Sequence, residues 1–213
     1  MSAAIQQLAF NLPVAGLTPI DLRWANVLIA RWNHNLGPIN RPFRSEAWAL
    51  EIEGRPVSVA VSCSAVSEHI AWTETRTEGE GDGLEVITER KTLGRDQIVE
   101  CARLVSDPEN RWATRPMLRL WREVAAPRWD CWPVVAAISY SQNKRHDGSL
   151  YRFDGWTCIA DDCGSSGGGA WSRKRYASDA VHGKKSLWLW RYPVLDETSQ
   201  ALKNHHQQEE GTP

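Results

Sequence analysis

PVVAAISYSQNKRHDGSLYRFDGW, from Pro133 to Trp156, is the stretch whose reading decides the fold. It opens with Val134-Val135-Ala136-Ala137-Ile138, an unbroken run of small and β-branched apolar side chains. Such a run suits a strand covered on both faces, as in the middle of a partly parallel sheet. Ser139-Tyr140-Ser141 is expected to end that strand, and Gln142-Asn143-Lys144-Arg145-His146 is too polar for a core. Asp147-Gly148-Ser149 can start a short helix filled by Leu150-Tyr151-Arg152-Phe153, with Gly155 as its stop. The next strand begins at Trp156-Thr157-Cys158-Ile159. Ligands of open α/β sheets sit beyond the carboxyl ends of strands, so the polar mouth between that strand and the short helix is where chemistry is expected.

Composition narrows the classes. A chain of 213 residues with a net charge of −1 can bury one good core and has no global drive toward a polyanion or a membrane surface. The charge is uneven: Arg103 to Arg191 carries 15 Lys+Arg against 9 Asp+Glu, and the first 102 residues carry 9 against 13. That basic half is either a solvated surface or one that faces nucleic acid. The twelve tryptophans fill a core, or stack on bases near a basic mouth. Cys63, Cys101, Cys131, Cys158 and Cys163 form no CxxC motif and read as reduced thiols of a cytoplasmic protein, with no metal site. No apolar run spans 18 residues, so no membrane segment is expected.

Outward from the centre, Met1–Gly16 reads as an arm or first edge strand, and residues 1–17 as an N-terminal arm to a single domain over 18–193. Thr18-Pro19-Ile20-Asp21 predicts a helix start with Thr18 as cap, and Trp24, Val27, Leu28 and Arg31-Trp32 at helical spacing predict an amphipathic helix over about Pro19 to Asn33. Ala47–Ile52 and Val57–Cys63 predict a hairpin around Glu53-Gly54-Arg55-Pro56. Residues 67–95 read as an insertion of partial order, with an acidic, flexible Glu78–Gly83. Ile98–Val105 predicts a central strand. Thr114-Arg115-Pro116 starts a helix with Met117, Leu120, Trp121 and Val124 on one face and Arg115, Arg119 and Arg122 largely on the other. Gly164–Gly169 is a flexible loop leading to Ala170–Arg175, Ser186–Tyr192 a final strand, and residues 194–213 a polar, disordered tail.

This order of elements resembles the GNAT (N-acetyltransferase-like) fold: a mixed α/β (α+β) sheet with helices on both faces and a splayed central strand pair. Within it the motifs are similar to the Mom-like phage DNA-modification branch and its small phage-borne relatives. Glu100-Cys101-Ala102-Arg103-Leu104 looks like that branch's E-x-x-R-L strand. Ile138-Ser139-Tyr140 with His146-Asp147-Gly148-Ser149-Leu150-Tyr151-Arg152 resembles its S/T-Y and H-x-G-T/S-I/L-Y segment, and Gly168-Gly169-Ala170-Trp171-Ser172-Arg173 its G-G-x-W-x-R. His34 in Asn33–Pro38 is similar to its histidine-bearing loop. Two departures stand out. The stretch Asp107–Pro116 has no glycine where the family's R/Q-x-x-G-x-G/A loop offers backbone N–H groups to a pyrophosphate, leaving Arg111 and Arg115 for that task. Ser141-Gln142 stands where Mom-like chains carry an aspartate after the tyrosine.

The resemblance implies a transferase that moves an acyl-type group from acetyl-CoA or another acyl-like small-molecule donor to an amine, here on a nucleic-acid base, with DNA or a nucleotide as partner. For a phage-borne chain that implies the host cytoplasm. Tyr151 would act as general acid, as an unperturbed phenol suits, or is a core aromatic. His146 is a base or a helix cap. Gly148 and Ser149 hold an anionic group or merely turn the chain. The resemblance places Tyr151, His146 and Ser149 in the chemistry and Arg103, Arg111, Arg115, Ser139, Tyr140 and Gly148 around the donor. His34, Glu100, Trp171 and Arg173 fall around the acceptor. Glu100 and Arg103, three apart on a strand, face opposite sides of the sheet. An ordinary acetyl-CoA-dependent N-acetyltransferase acting on a small amine or a protein, and a non-catalytic nucleic-acid-binding module, are the rival readings. The sequence sets no oligomeric state.

Overall fold

The structure, a computed structural model, describes residues 14–41, 44–78, 85–143, 146–161, 163 and 184–193. The strands are β1 (Ala15–Ile20), β2 (Ser45–Ile52), β3 (Arg55–Ser64), β4 (His69–Glu78), β5 (Glu85–Gly94), β6 (Ile98–Ser106), β7 (Ala136–Gln142), β8 (Thr157–Ala160) and β9 (Lys185–Arg191). The helices are α1 (Leu22–Arg31), α2 (Thr114–Leu120) and α3 (Ser149–Arg152). The larger sheet runs β1-β2-β3-β6-β7-β9-β8, and β4 pairs with β5 alone. The chain is thus a mixed α/β fold with a large, mostly antiparallel sheet and few helices. It divides into two compact units, one holding the described residues within 14–63 and 101–125, the other those within 64–100, 126–163 and 184–193.

In the first unit, β2 and β3 form the expected hairpin. Its turn is tighter than expected: Glu53 and Gly54 both take positive φ (50° and 74°), the two-residue turn whose twist matches the strands. Alternation then sorts the faces. Ala47, Ala49, Val59, Val61 and Cys63 pack against Ala25, Leu28, Ile29 and Trp32 of α1. From the other face Ser62 Oγ accepts a 2.9 Å bond from the Trp121 indole. Both faces of β3 are therefore covered, as its run of buried residues requires.

Three expectations are corrected here. Thr18 and Pro19 lie in β1, paired with Ala49 and Trp48, because an edge strand tolerates a proline. The cap of α1 is Asp21, whose carboxylate accepts from the N–H groups of Arg23 (2.7 Å) and Trp24 (3.4 Å). The buried stripe starts at Ala25, small enough to let α1 approach the alanines of β2, so Trp24 and Val27 stand 45% and 53% exposed. Beyond α2 the chain widens into a π turn over Trp121–Ala125, which shifts the register of the buried face. Arg122 is carried inside by that shift, and Leu120 and Val124 are only half-buried.

In the second unit, β4 and β5 form an antiparallel pair along their length, from His69↔Gly94 to Glu78↔Glu85, within the stretch expected as an insertion of partial order; residues 79–84 lie outside the described residues. Ile70, Trp72 and Leu93 of this pair join Ala136, Ile138, Leu187 and Leu189 in a core. β7 runs to Gln142, with Ser139, Tyr140 and Ser141 inside the strand rather than ending it, because β9 continues the pairing to Gln142↔Lys185. Among the described residues no helix is long and apolar enough to cross a membrane.

Loss of the Asp21 cap by Asp21→Ala is expected to cost about 1 kcal/mol in urea unfolding. Thr18→Ala, in the edge strand, should change stability by less than about 0.5 kcal/mol. Equal losses would return the cap to Thr18.

Candidate functional site

The polar mouth forms at the carboxyl end of β7, within the second unit. On β9 the leucines and tryptophans alternate, so Leu187 and Leu189 enter the core while Trp188 and Trp190 take the opposite face with Ser139 and Ser141. α3 and Trp156 cover that face. Tyr151 stacks on Trp188 (ring centroids 5.3 Å apart, 13° between planes) and meets Trp156 edge-on at 5.6 Å. Its hydroxyl lies 2.8 Å from Ser139 Oγ. The Trp188 indole donates to Ser141 Oγ at 2.8 Å, and the Trp156 indole to Asp154 Oδ2 at 3.0 Å. Each indole and phenol buried here thus keeps a polar partner.

Gly148 opens α3 at φ 76°. A Cβ at this position would overlap the Trp188 ring, 2.8 Å from its Cη2 and nearer still to Cζ2. The glycine is therefore required twice, by its backbone and by the indole beneath it. Asp147 turns the chain into the helix: its Oδ1 accepts the Ser149 N–H at 2.9 Å. That bond, the Ser149 hydroxyl and the nearby Arg152 guanidinium hold the Asp147 carboxyl below its usual range. Arg152 also donates to the Asp147 carbonyl.

Asn143, His146, Asp147, Asp161 and Ser186 line an open depression of about 370 Å³. On its floor Ser186 Oγ lies 2.7 Å from Asp161 Oδ1 and 2.8 Å from Asn143 Oδ1, two acceptors between which its one hydroxyl proton is shared. Cys158 Sγ also donates to Asp161, at 3.3 Å. The Ser186 and Cys158 bonds lower the Asp161 carboxyl, while burial and the adjacent carboxylate push the Cys158 thiol up. Chemically, the depression offers two carboxylates held ionised, an exposed imidazole and an amide.

Of the expected residues, His146, Gly148, Ser149, Tyr151 and Ser139 lie at this end of β7, with Tyr140 on the opposite face of the strand. Tyr140 is half-buried on the core side of the strand. Glu100 is buried in β6. In the first unit, Arg103 is buried and donates to the carbonyls of Gly37 (2.8 Å), Ala102 (2.8 Å) and Leu36 (3.4 Å). It clamps the His34 loop from beneath, and His34 Nδ1 accepts the Leu36 N–H at 3.2 Å within that loop. Arg111 and Arg115 are exposed. Before α2, a 3-10 segment over Pro108–Ala113 runs straight into the helix, so its first N–H groups face a preceding turn rather than open space. Side chains, not backbone, are what this stretch offers an anionic donor.

Trp171 and Arg173, the Gly164–Gly169 loop, residues 144–145 and the tail over 194–213 lie outside the described residues. Asp147, as a site residue, and Asp161, Ser186, Asn143 and Trp188 are not singled out by the sequence; the alternation of Leu and Trp along β9 is the signal that could find Trp188. Among the described residues no group of three or more His, Cys, Asp or Glu is placed to hold a metal.

No protein-family model matches the sequence, and no curated protein does. Among solved structures, the chain is similar to a probable acetyltransferase from Staphylococcus epidermidis, at 6% identity over 84% of this chain and 100% of that one, with a TM-score of 0.48. It is also similar to an acetyltransferase from Thermus thermophilus, at 9% identity over 84% of this chain and 97% of that one, with a TM-score of 0.44.

Two measurements check this geometry. Gly148→Ala should lower stability by about 2 kcal/mol or more and change the near-ultraviolet dichroism of the indoles. Tyr151→Phe and Ser139→Ala should each cost about 1 kcal/mol and add poorly in the double variant. The lowered Asp161 carboxyl sets a sign for pH. Its bonds stabilise the fold fully above about pH 4 and are lost as pH falls through the folded-state value. The melting temperatures of Asp161→Asn and wild type should therefore differ at neutral pH and converge in acid.

Proposed function

We propose that the chain is a GNAT-type transferase that moves an acyl-type group from a small-molecule donor to an amine held in the depression at the end of β7. The observation that carries this reading is the lining of that depression: Asp147 and Asp161, both held ionised, beside the exposed His146. An amine arriving as an ammonium is attracted by the carboxylates but cannot attack until it loses a proton. The exposed imidazole of His146, in the lining beside them, is the group to take it. Tyr151, the expected proton source for a departing thiolate, is buried with its hydroxyl on Ser139 and is not part of the lining, so in this reading it holds the turn in place. Holding the amine in place supplies much of the remaining rate.

The resemblance to the Mom-like branch makes the exocyclic amine of a nucleic-acid base the first acceptor to test. A base in a duplex must leave the stack to reach such a depression. The carboxylate pair favours a second acceptor, a small cationic amine, which is the ordinary N-acetyltransferase reading. A non-catalytic nucleic-acid-binding module is the third.

Nucleosides from the DNA of cells expressing the chain, analysed by mass spectrometry, should show a modified adenine on the first reading. Unmodified DNA together with acetyl-CoA-dependent acylation of a small primary amine in vitro would establish the second. In either assay His146→Ala should lower kcat/KM about a hundredfold or more. A full phenotype in both His146→Ala and Tyr151→Phe would leave only the binding module.

A further inference from the structure

The ribbon of β4 and β5 is long, yet of its residues only Ile70 and Trp72 are buried. It is a sheet of two strands alone, so among the described residues each strand keeps one edge with no ladder partner. A two-stranded ribbon is marginal in water, and a third or fourth strand is what stabilises one. An open edge of this length is also a template for another strand. The β4 edge reads Thr73-Glu74-Thr75-Arg76-Thr77, and all but the half-buried Glu74 are exposed. Turned end for end about Thr75, that segment matches itself: Glu74 meets Arg76 on one face, and Thr73 meets Thr77 on the other. Moving the axis to Glu74 or to Arg76 sets like charges face to face. The β5 edge is not matched in this way. About Thr88, which lies opposite Thr75, Glu89 meets Ile87 and Arg90 meets Val86.

We propose that β4 pairs antiparallel with β4 of a second copy of this chain across a twofold axis at Thr75, joining two ribbons into one four-stranded sheet. Such an interface is isologous, so each contact away from the axis is made twice. Glu74 is already set for it. Its Oε1 accepts from the Trp72 indole at 3.0 Å and from Arg191 at 2.7 Å, so little side-chain freedom is left to lose on docking. Arg76 lies 2.9 Å from Glu78 in an exposed ion pair, which holds it only weakly and leaves it able to turn to the incoming Glu74. The threonine pairs make the opposite face, flanked by Val86 and Thr88 of each β5. A strand pair this short forms a small interface of the transient class, so the equilibrium is expected in the micromolar range.

The test needs no assay of activity and stands whether or not the transferase reading does. Sedimentation of the full chain from about 1 to about 200 µM is expected to pass from monomer to dimer. Arg76→Glu sets only acidic side chains across the axis, and Glu74→Lys only basic ones. Each should raise the dimer dissociation constant about tenfold or more. An equimolar mixture of the two variants should restore a dimer, because each then meets its opposite. The register is read from Thr75→Cys, oxidised with copper phenanthroline. Residues paired at the axis have Cα atoms about 4.5 or 5.5 Å apart, within disulfide reach, so a linked dimer that dithiothreitol reverses is expected. Thr88→Cys and the wild type, which keeps exposed Cys131 and Cys158, should link far less. A chain that remains monomeric throughout, a dimer indifferent to both charge reversals, a mixture that does not pair, or linkage through Thr88→Cys rather than Thr75→Cys would overturn the proposal.

Discussion

The stack of Tyr151 on Trp188 is the contact on which the candidate site depends. It fixes α3 against β9, and with α3 it fixes every group that follows from the turn at Asp147. A four-residue helix has almost no stability of its own, so α3 exists because its one buried aromatic is held from two sides. Trp188 supplies a ring face, and Ser139 satisfies the phenol, which would otherwise lose a hydrogen bond on burial. The same indole forbids a side chain at Gly148. One residue on β9 therefore dictates both the composition and the conformation of the turn that lines the depression.

The first unit solves a similar problem by different means. A glycine-rich turn between β6 and α2 would leave N–H groups open; here hydroxyls close the junction instead. Ser58 Oγ donates to the Val105 carbonyl at 2.9 Å, Ser106 Oγ lies 2.9 Å from Ser58 Oγ, and Thr114 Oγ1 lies 2.7 Å from Ser106 Oγ. Thr114 Oγ1, which also lies 3.1 Å from the Arg111 carbonyl as donor, is within hydrogen-bond reach of Ser106 and ties the first residue of α2 to the last of β6. The cost of such a chain is rigidity: a backbone engaged in its own turn is not free to wrap a phosphate. Arg103 acts likewise on the loop at Leu36–Gly37, where a guanidinium with several donors holds carbonyls that the loop leaves unpaired.

Patterns with a period were legible in the sequence; partners were not. The hairpin of β2 and β3, the strand at β6, the short helix with its glycines, and the final strand each follow from alternation or from residues with special backbone needs. The cap of α1 was misplaced because Thr18-Pro19 satisfies the rules for a helix start and for an edge strand equally, and only pairing with β2 separates them. Arg122 was assigned to the outer face because a π turn carries no signature in composition. Tyr151 illustrates the limit most clearly. Its position in the turn was readable, but whether its hydroxyl faces solvent or a strand serine depends on a β7 register set 47 residues away, at the Ser141–Trp188 bond.

That limit matters for what the depression can accept. Two ionised carboxylates, even with Arg152 beside them, repel a phosphate backbone passing close by, so a nucleic acid would have to present a base alone and keep its backbone on another surface. A neutral exocyclic amine gains nothing from the carboxylates in its ground state, but it gains as positive charge develops on nitrogen during attack, which is where binding raises the rate. An ammonium gains most before it reacts, and its proton becomes harder to remove for the same reason. On the proposed transferase reading, His146 would therefore be needed far more by a cationic amine than by a base, and the size of the His146→Ala loss on each acceptor would separate the two.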